Sequence, residues 1–87
     1  MEKVYLTVNE ASKKTSVSVH TLRYWEKVFD GILVPLRTKG NQRRYSPKDI
    51  EIIFSIKKLL KDDLYSTAGA KKILKKRKVK KDSHKIN

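Results

Sequence analysis

Apolar positions along the chain recur at helical spacing in four stretches, and one extended apolar run lies between the second and third. Val8, Ala11 and Thr15 form the inner face of the first stretch. Thr7 precedes it and Glu10 follows three residues later, the spacing of a capping box, so a helix is predicted from Val8 to about Thr15. Ser16-Val17-Ser18 reads as a tight turn, and Ser18 caps a second helix from Val19 to about Phe29. At about 100° per residue, Leu22, Trp25 and Phe29 share one narrow arc, while His20, Arg23, Tyr24 and Lys27 share the opposite one. The helix has an apolar back and a basic, hydrogen-bonding front.

Ile32-Leu33-Val34-Pro35-Leu36 has the look of a strand, with Pro35 restricting it to an edge or an irregular path. Lys39-Gly40-Asn41 supplies turn chemistry, and Gln42-Arg43-Arg44-Tyr45 returns as a second strand. The resulting hairpin carries Arg37, Lys39, Arg43 and Arg44. Ser46-Pro47-Lys48-Asp49 then starts a third helix, with a Ser cap, Pro at the first position and an acid in the first turn. Ile52, Ile53, Ile56, Leu59 and Leu60 form its core face, widened by Ile50 and Phe54. It is expected to run to about Lys61, where Asp62-Asp63-Leu64-Tyr65 breaks it. Ser66 caps a fourth helix to about Lys76, with Ala70, Ile73 and Leu74 inward. The expected fold is mainly α with a small β-hairpin, about four helices plus a two-stranded wing. Residues 1–76 make one domain and 77–87 a disordered basic tail.

Composition narrows the chemistry. Eighty-seven residues suffice for one small domain. No cysteine is present, which removes disulfides, thiolate metal sites and a cysteine nucleophile. His20 and His84 are too far apart in sequence to suggest a metal motif. Glu10, Glu26, Asp49 and Glu51 read as capping or surface residues, and no pair of them suits acid–base catalysis. Neither an enzyme nor a cofactor is expected. No apolar run has the length of a membrane span and no signal-peptide pattern opens the chain, so the expected location is cytoplasmic and nucleoid-associated. Twenty-two Lys and Arg stand against nine Asp and Glu, a net charge of +13. Residues 71–87 alone hold nine cations and one acid. Such a balance points to polyanions. The tail has no apolar face for a membrane, and exposed aromatic pairs for stacking RNA bases are lacking.

Two short helices joined by a tight turn, the second basic on its outer face, describe a helix-turn-helix. Such a helix fits the major groove of B-DNA, where His20, Thr21, Arg23, Tyr24 and Lys27 would meet base edges and phosphates. Backbone N–H groups near Ser18 suit a phosphate. The hairpin becomes a basic wing.

The residues Thr21-Leu22-Arg23-Tyr24-Trp25-Glu26, Arg37, Gln42-Arg43-Arg44-Tyr45-Ser46, Asp49-Ile50 and Gly69-Ala70-Lys71-Lys72-Ile73-Leu74 resemble, in order and spacing, the winged helix-turn-helix domain of the MerR family of bacterial transcription regulators. The likeness spans about Tyr5 to Leu74. It implies that Arg23 and Tyr24 meet DNA from the recognition helix and that Arg37, Arg43 and Arg44 contact the backbone from the wing. Tyr45, by the same likeness, closes the wing against the third helix and reaches a phosphate through its hydroxyl. Ser16 stands where the family often has glycine, and Leu64 and Thr67 replace a frequent glycine and a frequent apolar residue. The family normally continues into a dimerising helix, whereas Lys75 to Lys81 holds no apolar heptad. A homodimer is therefore expected only where such a helix follows in a longer protein. The implied partners are double-stranded DNA and RNA polymerase at a promoter. An alternative is an architectural, excisionase-like DNA-bending protein acting as cooperating monomers.

Overall fold

The structure, a computed structural model, describes residues 5–86. Four helices and one hairpin follow the predicted order: α1 (Val8–Thr15), α2 (Val19–Val28), β1 (Leu36–Arg37), β2 (Arg43–Arg44), α3 (Pro47–Lys57) and α4 (Thr67–Ile86). Capping fixes the helix starts. Thr7 and Glu10 form a reciprocal box at α1, and Ser46 and Asp49 form another at α3, with Pro47 in its first turn. Each box satisfies two backbone donors that a helix N-terminus otherwise leaves without partners.

The core gathers residues from all four helices and from the three connections between them. Ala11 from α1, Leu22 and Trp25 from α2, Ile53 and Ile56 from α3, and Ala70 and Leu74 from α4 are buried together with Phe29, Leu33 and Tyr45. Trp25 and Phe29 meet edge to face, with ring centroids 6.5 Å apart. Burying a side chain of the Leu or Phe class contributes about 1.5–3 kcal/mol, so the back of α2 is anchored more firmly than hydrogen bonds alone would hold it. A polar tie supplements the packing: Lys57 Nζ donates to the carbonyl of Thr15, 2.9 Å away, joining α3 to the end of α1.

Five differences from the predicted elements have physical causes. The strand predicted from Ile32 begins only at Leu36. Gly31 turns with φ of 81°, the Ile32 and Leu33 amides fold back onto the Phe29 carbonyl, and Leu33 enters the core instead of a sheet. The third helix widens into a π turn at Lys58–Asp62, which keeps Leu59 buried while Leu64, with φ of 59°, reverses the chain. Phe54, expected to widen the apolar face, is 44% exposed. A third extended segment joins the hairpin, because Leu6 and Tyr45 exchange two backbone hydrogen bonds of 2.9 and 2.8 Å. Finally, the backbone stays helical to Ile86, ten residues past the predicted end at Lys76 and through most of the segment expected to be disordered. Lys and Arg are good helix formers, and neither Gly nor Pro occurs after Gly69 to stop the helix. Asn87 lies outside the described residues.

Candidate nucleic-acid interface

The turn between α1 and α2 sets the direction of the candidate recognition helix. Ser16 caps α1 in the left-handed conformation, with φ of 60°. Val17 is buried beneath the turn, and Ser18 caps α2. The Ser18 hydroxyl oxygen accepts from the Thr21 amide at 3.1 Å and donates to the Thr21 hydroxyl at 2.8 Å. Thr21 is thereby half-buried and committed to the cap. His20, Arg23, Tyr24 and Lys27 are exposed, Tyr24 by 52%, while Leu22 and Trp25 face the core. The two arcs expected of this helix are the two faces observed.

The wing stands beside that exposed face. β1 and β2 pair antiparallel, with Leu36 opposite Arg44 and Arg37 opposite Arg43. The tip closes through Thr38, whose amide donates to the Gln42 carbonyl and whose hydroxyl accepts from the Gln42 amide. The left-handed residue is Asn41, with φ of 63°, rather than the neighbouring Gly40. Arg37 and Lys39 are exposed. Arg43 and Arg44 are half-buried, and the Arg44 guanidinium donates to the Arg43 carbonyl and to Gln42 Oε1 within the wing.

Two residues stand differently from their expected places. Tyr45 is wholly buried, and its hydroxyl donates to Glu26 Oε2 at 2.7 Å, so it faces the protein and not a phosphate. Burial, the hydrogen bond to that carboxylate and its negative charge raise the phenol's pKa well above the ordinary value. Glu26 was expected at the surface or a cap, yet its side chain is only 11% exposed and joins α2 to the wing. Arg43 Nε approaches Glu26 Oε2 to 2.6 Å without the alignment of a hydrogen bond. Arg37 Nη2 lies 3.8 Å from Oε1. The missed signal was on the helical wheel: Glu26 sits about 40° from Leu22, at the edge of the buried arc. What the wheel does not contain is the wing that folds back to meet it.

Among the described residues, no group of three His, Asp or Glu side chains is placed to hold a metal ion, and no helix is long and apolar enough to cross a membrane.

Comparison with known proteins decides the family. The model of the MerR HTH family of regulatory proteins matches residues 6–77. This chain belongs to that family. A putative heat shock protein HspR from Streptomyces coelicolor is 33% identical over 67 residues, covering 77% of this chain and 43% of the relative. A MerR-family transcriptional regulator from Bacillus cereus superposes with a TM-score of 0.72 at 25% identity, over 82% of this chain and 52% of that one. HiNmlR, a MerR-family regulator lacking the sensor domain and bound to promoter DNA, superposes with a TM-score of 0.65 at 25% identity, over 82% and 55% of the two chains. The MerR-type chain described here therefore spans about half the length of the proteins it resembles, and its four helices and hairpin are the winged helix-turn-helix of that family.

Proposed function

We propose that this MerR-type domain binds double-stranded DNA with sequence preference, as the DNA-binding part of a transcription regulator. The observation that carries the proposal is the exposed face of α2, with His20, Arg23, Tyr24 and Lys27, set beside a basic wing. In this reading α2 enters the major groove, where Arg23 takes up base edges and Tyr24 and Lys27 contact the strand. Arg37 and Lys39 run along phosphates, and Arg44 lends charge from within the wing. Ser18 and Thr21 hold the helix start toward the backbone. The basic segment of residues 77–87 adds phosphate attraction without sequence information. The structural neighbour bound to promoter DNA supports this reading, and the description of both structural neighbours as MerR-family regulators favours it over an excisionase-like one. RNA polymerase at a promoter is the proposed further partner, and a homodimer is proposed only where a dimerising helix follows in a longer protein. No catalytic step is proposed.

The test is selection from random DNA duplexes, followed by titration of the selected and scrambled duplexes at several salt concentrations. An enriched motif bound at least ~1.4 kcal/mol more tightly than scrambled DNA supports base readout. Arg23→Ala should then lower binding to the motif far more than to scrambled DNA. Equal affinity for all duplexes with a steep salt dependence would mean that charge alone binds, and the recognition-helix assignment would fall.

A further inference from the structure

The Glu26 carboxylate has no task in the DNA-binding reading, yet it lies at the junction of the two elements that reading uses. It belongs to α2, between the exposed Arg23 and Lys27, yet it turns inward and is 11% exposed. Three wing groups converge on it. The Tyr45 hydroxyl donates to Oε2 at 2.7 Å, Arg43 Nε lies 2.6 Å from the same oxygen, and Arg37 Nη2 lies 3.8 Å from Oε1.

The two arginines are held unequally. The Arg43 side chain is 23% exposed and in close contact, whereas that of Arg37 is 45% exposed and at the outer limit of an ion pair. Arg37 also donates through Nη1 to Asn41 Oδ1 at 3.2 Å, within the wing tip. Leaving Glu26 would uncover a buried charge in the case of Arg43 and a loose, solvated contact in the case of Arg37. A charge pair that is largely removed from water is strongly destabilised when one partner leaves, while an exposed pair is worth little.

We propose that Glu26 is the positioning residue that locks the wing to the recognition helix, with Arg43 committed to the lock and Arg37 released to a DNA phosphate. The proposal rests on the DNA-binding reading for its consequence, though not for the lock itself. A two-stranded hairpin with strands of two residues has little rigidity of its own. Tied to α2 at one carboxylate, it meets the duplex at a set angle, so wing and helix contacts form together and need no ordering on binding.

The lock and simple electrostatics predict opposite signs for one substitution. Glu26→Gln removes a negative charge, and charge alone would tighten DNA binding and steepen its salt dependence. The lock predicts weaker binding, by roughly tenfold, and a slope of log K against log salt shallower by about one to two as wing phosphates are lost. The probe is a mixed-sequence DNA duplex titrated with the full chain, with circular dichroism to confirm folding. Arg43→Lys keeps the charge but withdraws Nε from Glu26, and should behave as Glu26→Gln does. Arg37→Gln should reduce the slope by about one with an unchanged melting temperature. Folded Glu26→Gln that binds as tightly as the parent, with an equal or steeper slope, overturns the proposal. So does Arg43→Lys indistinguishable from the parent, which also decides the matter should Glu26→Gln not fold. A DNA-free measurement separates the lock from the function: by NMR, the Tyr45 hydroxyl proton, which is buried and bonded to Glu26, should exchange slowly with solvent in the parent and faster in Glu26→Gln. A parent chain that does not bind duplex DNA would refute the proposed function. Rapid exchange of that proton in the parent would refute the lock.

Discussion

Tyr45 reports its surroundings through its ionisation. Its phenol is buried against a carboxylate, so the folded state disfavours the phenolate. In the unfolded chain the same group ionises near its ordinary pKa of about 10. The stability that Tyr45 contributes is thus fully present below that pH and is lost as pH rises toward the higher folded value. Chemical denaturation between neutral pH and pH ~11 should show steeper alkaline destabilisation in the parent than in Tyr45→Phe, while the variant should be less stable by about 1.5–3 kcal/mol at neutral pH, the usual worth of a hydrogen bond to a charged group. Parallel pH profiles for the two proteins would contradict the buried pairing. Ser16 and Leu64 make a second point about single residues. Both lie in the left-handed region, with φ of 60° and 59°, where a Cβ costs roughly 1–2 kcal/mol. Glycine removes that strain but has more unfolded-state freedom, so Ser16→Gly and Leu64→Gly should each stabilise the domain by about 0.5–1 kcal/mol in thermal denaturation. Ser16 was recognisable in the sequence as a departure at a glycine position. Glu26 was not recognisable as a hub, because its position on the helical wheel is local information and its partners come from residues eleven to nineteen positions away.

At the scale of elements, the helix starts were legible because caps are local chemistry. Thr7, Ser18 and Ser46 act where their spacing placed them, and the opposed arcs of α2 became its buried and exposed faces. Helix and strand ends were harder to read. Nothing within Ile32–Leu36 announces that Leu33 is worth more in the core than in a strand, since that depends on Phe29 and on the turn at Gly31. The π turn after α3 likewise follows from keeping Leu59 inside while the chain reverses. One long-range tie between elements has a measurable worth. Lys57 donates to the Thr15 carbonyl from a half-buried position, and Lys57→Met keeps the stem's packing while losing that bond. The loss should cost about 1–3 kcal/mol and lower the melting temperature by several degrees. A melting temperature equal to the parent's would show that water replaces the bond without penalty.

Across the whole molecule the charge is uneven. Of the +13 total, the segment 71–87 supplies nine cations against one acid, and it lies along a helix whose backbone continues to Ile86. The candidate DNA-reading residues lie in the first half of the sequence, between Ser18 and Arg44. Attraction and readout are therefore separable. A chain ending at Lys76 should bind all duplexes more weakly, with the salt slope reduced by about 0.9 for each phosphate contact removed and with the ranking of sequences unchanged. A change in ranking, measured on selected and scrambled duplexes, would assign base contacts to the basic end instead. The fold class and the two candidate DNA-facing elements were visible in the sequence because periodicity and turn chemistry are strong in a chain this short. The join between those elements was not, since it depends on three side chains meeting one carboxylate in space.

The two hydrogen bonds between Leu6 and Tyr45 give the wing a mechanical connection to the start of the chain. Tyr45 is the same residue whose hydroxyl bonds Glu26, so the strand at Leu6 and the junction of wing and α2 share one residue. In the proposed DNA-binding reading, a segment joined in front of Leu6 should therefore load the wing before it loads any helix.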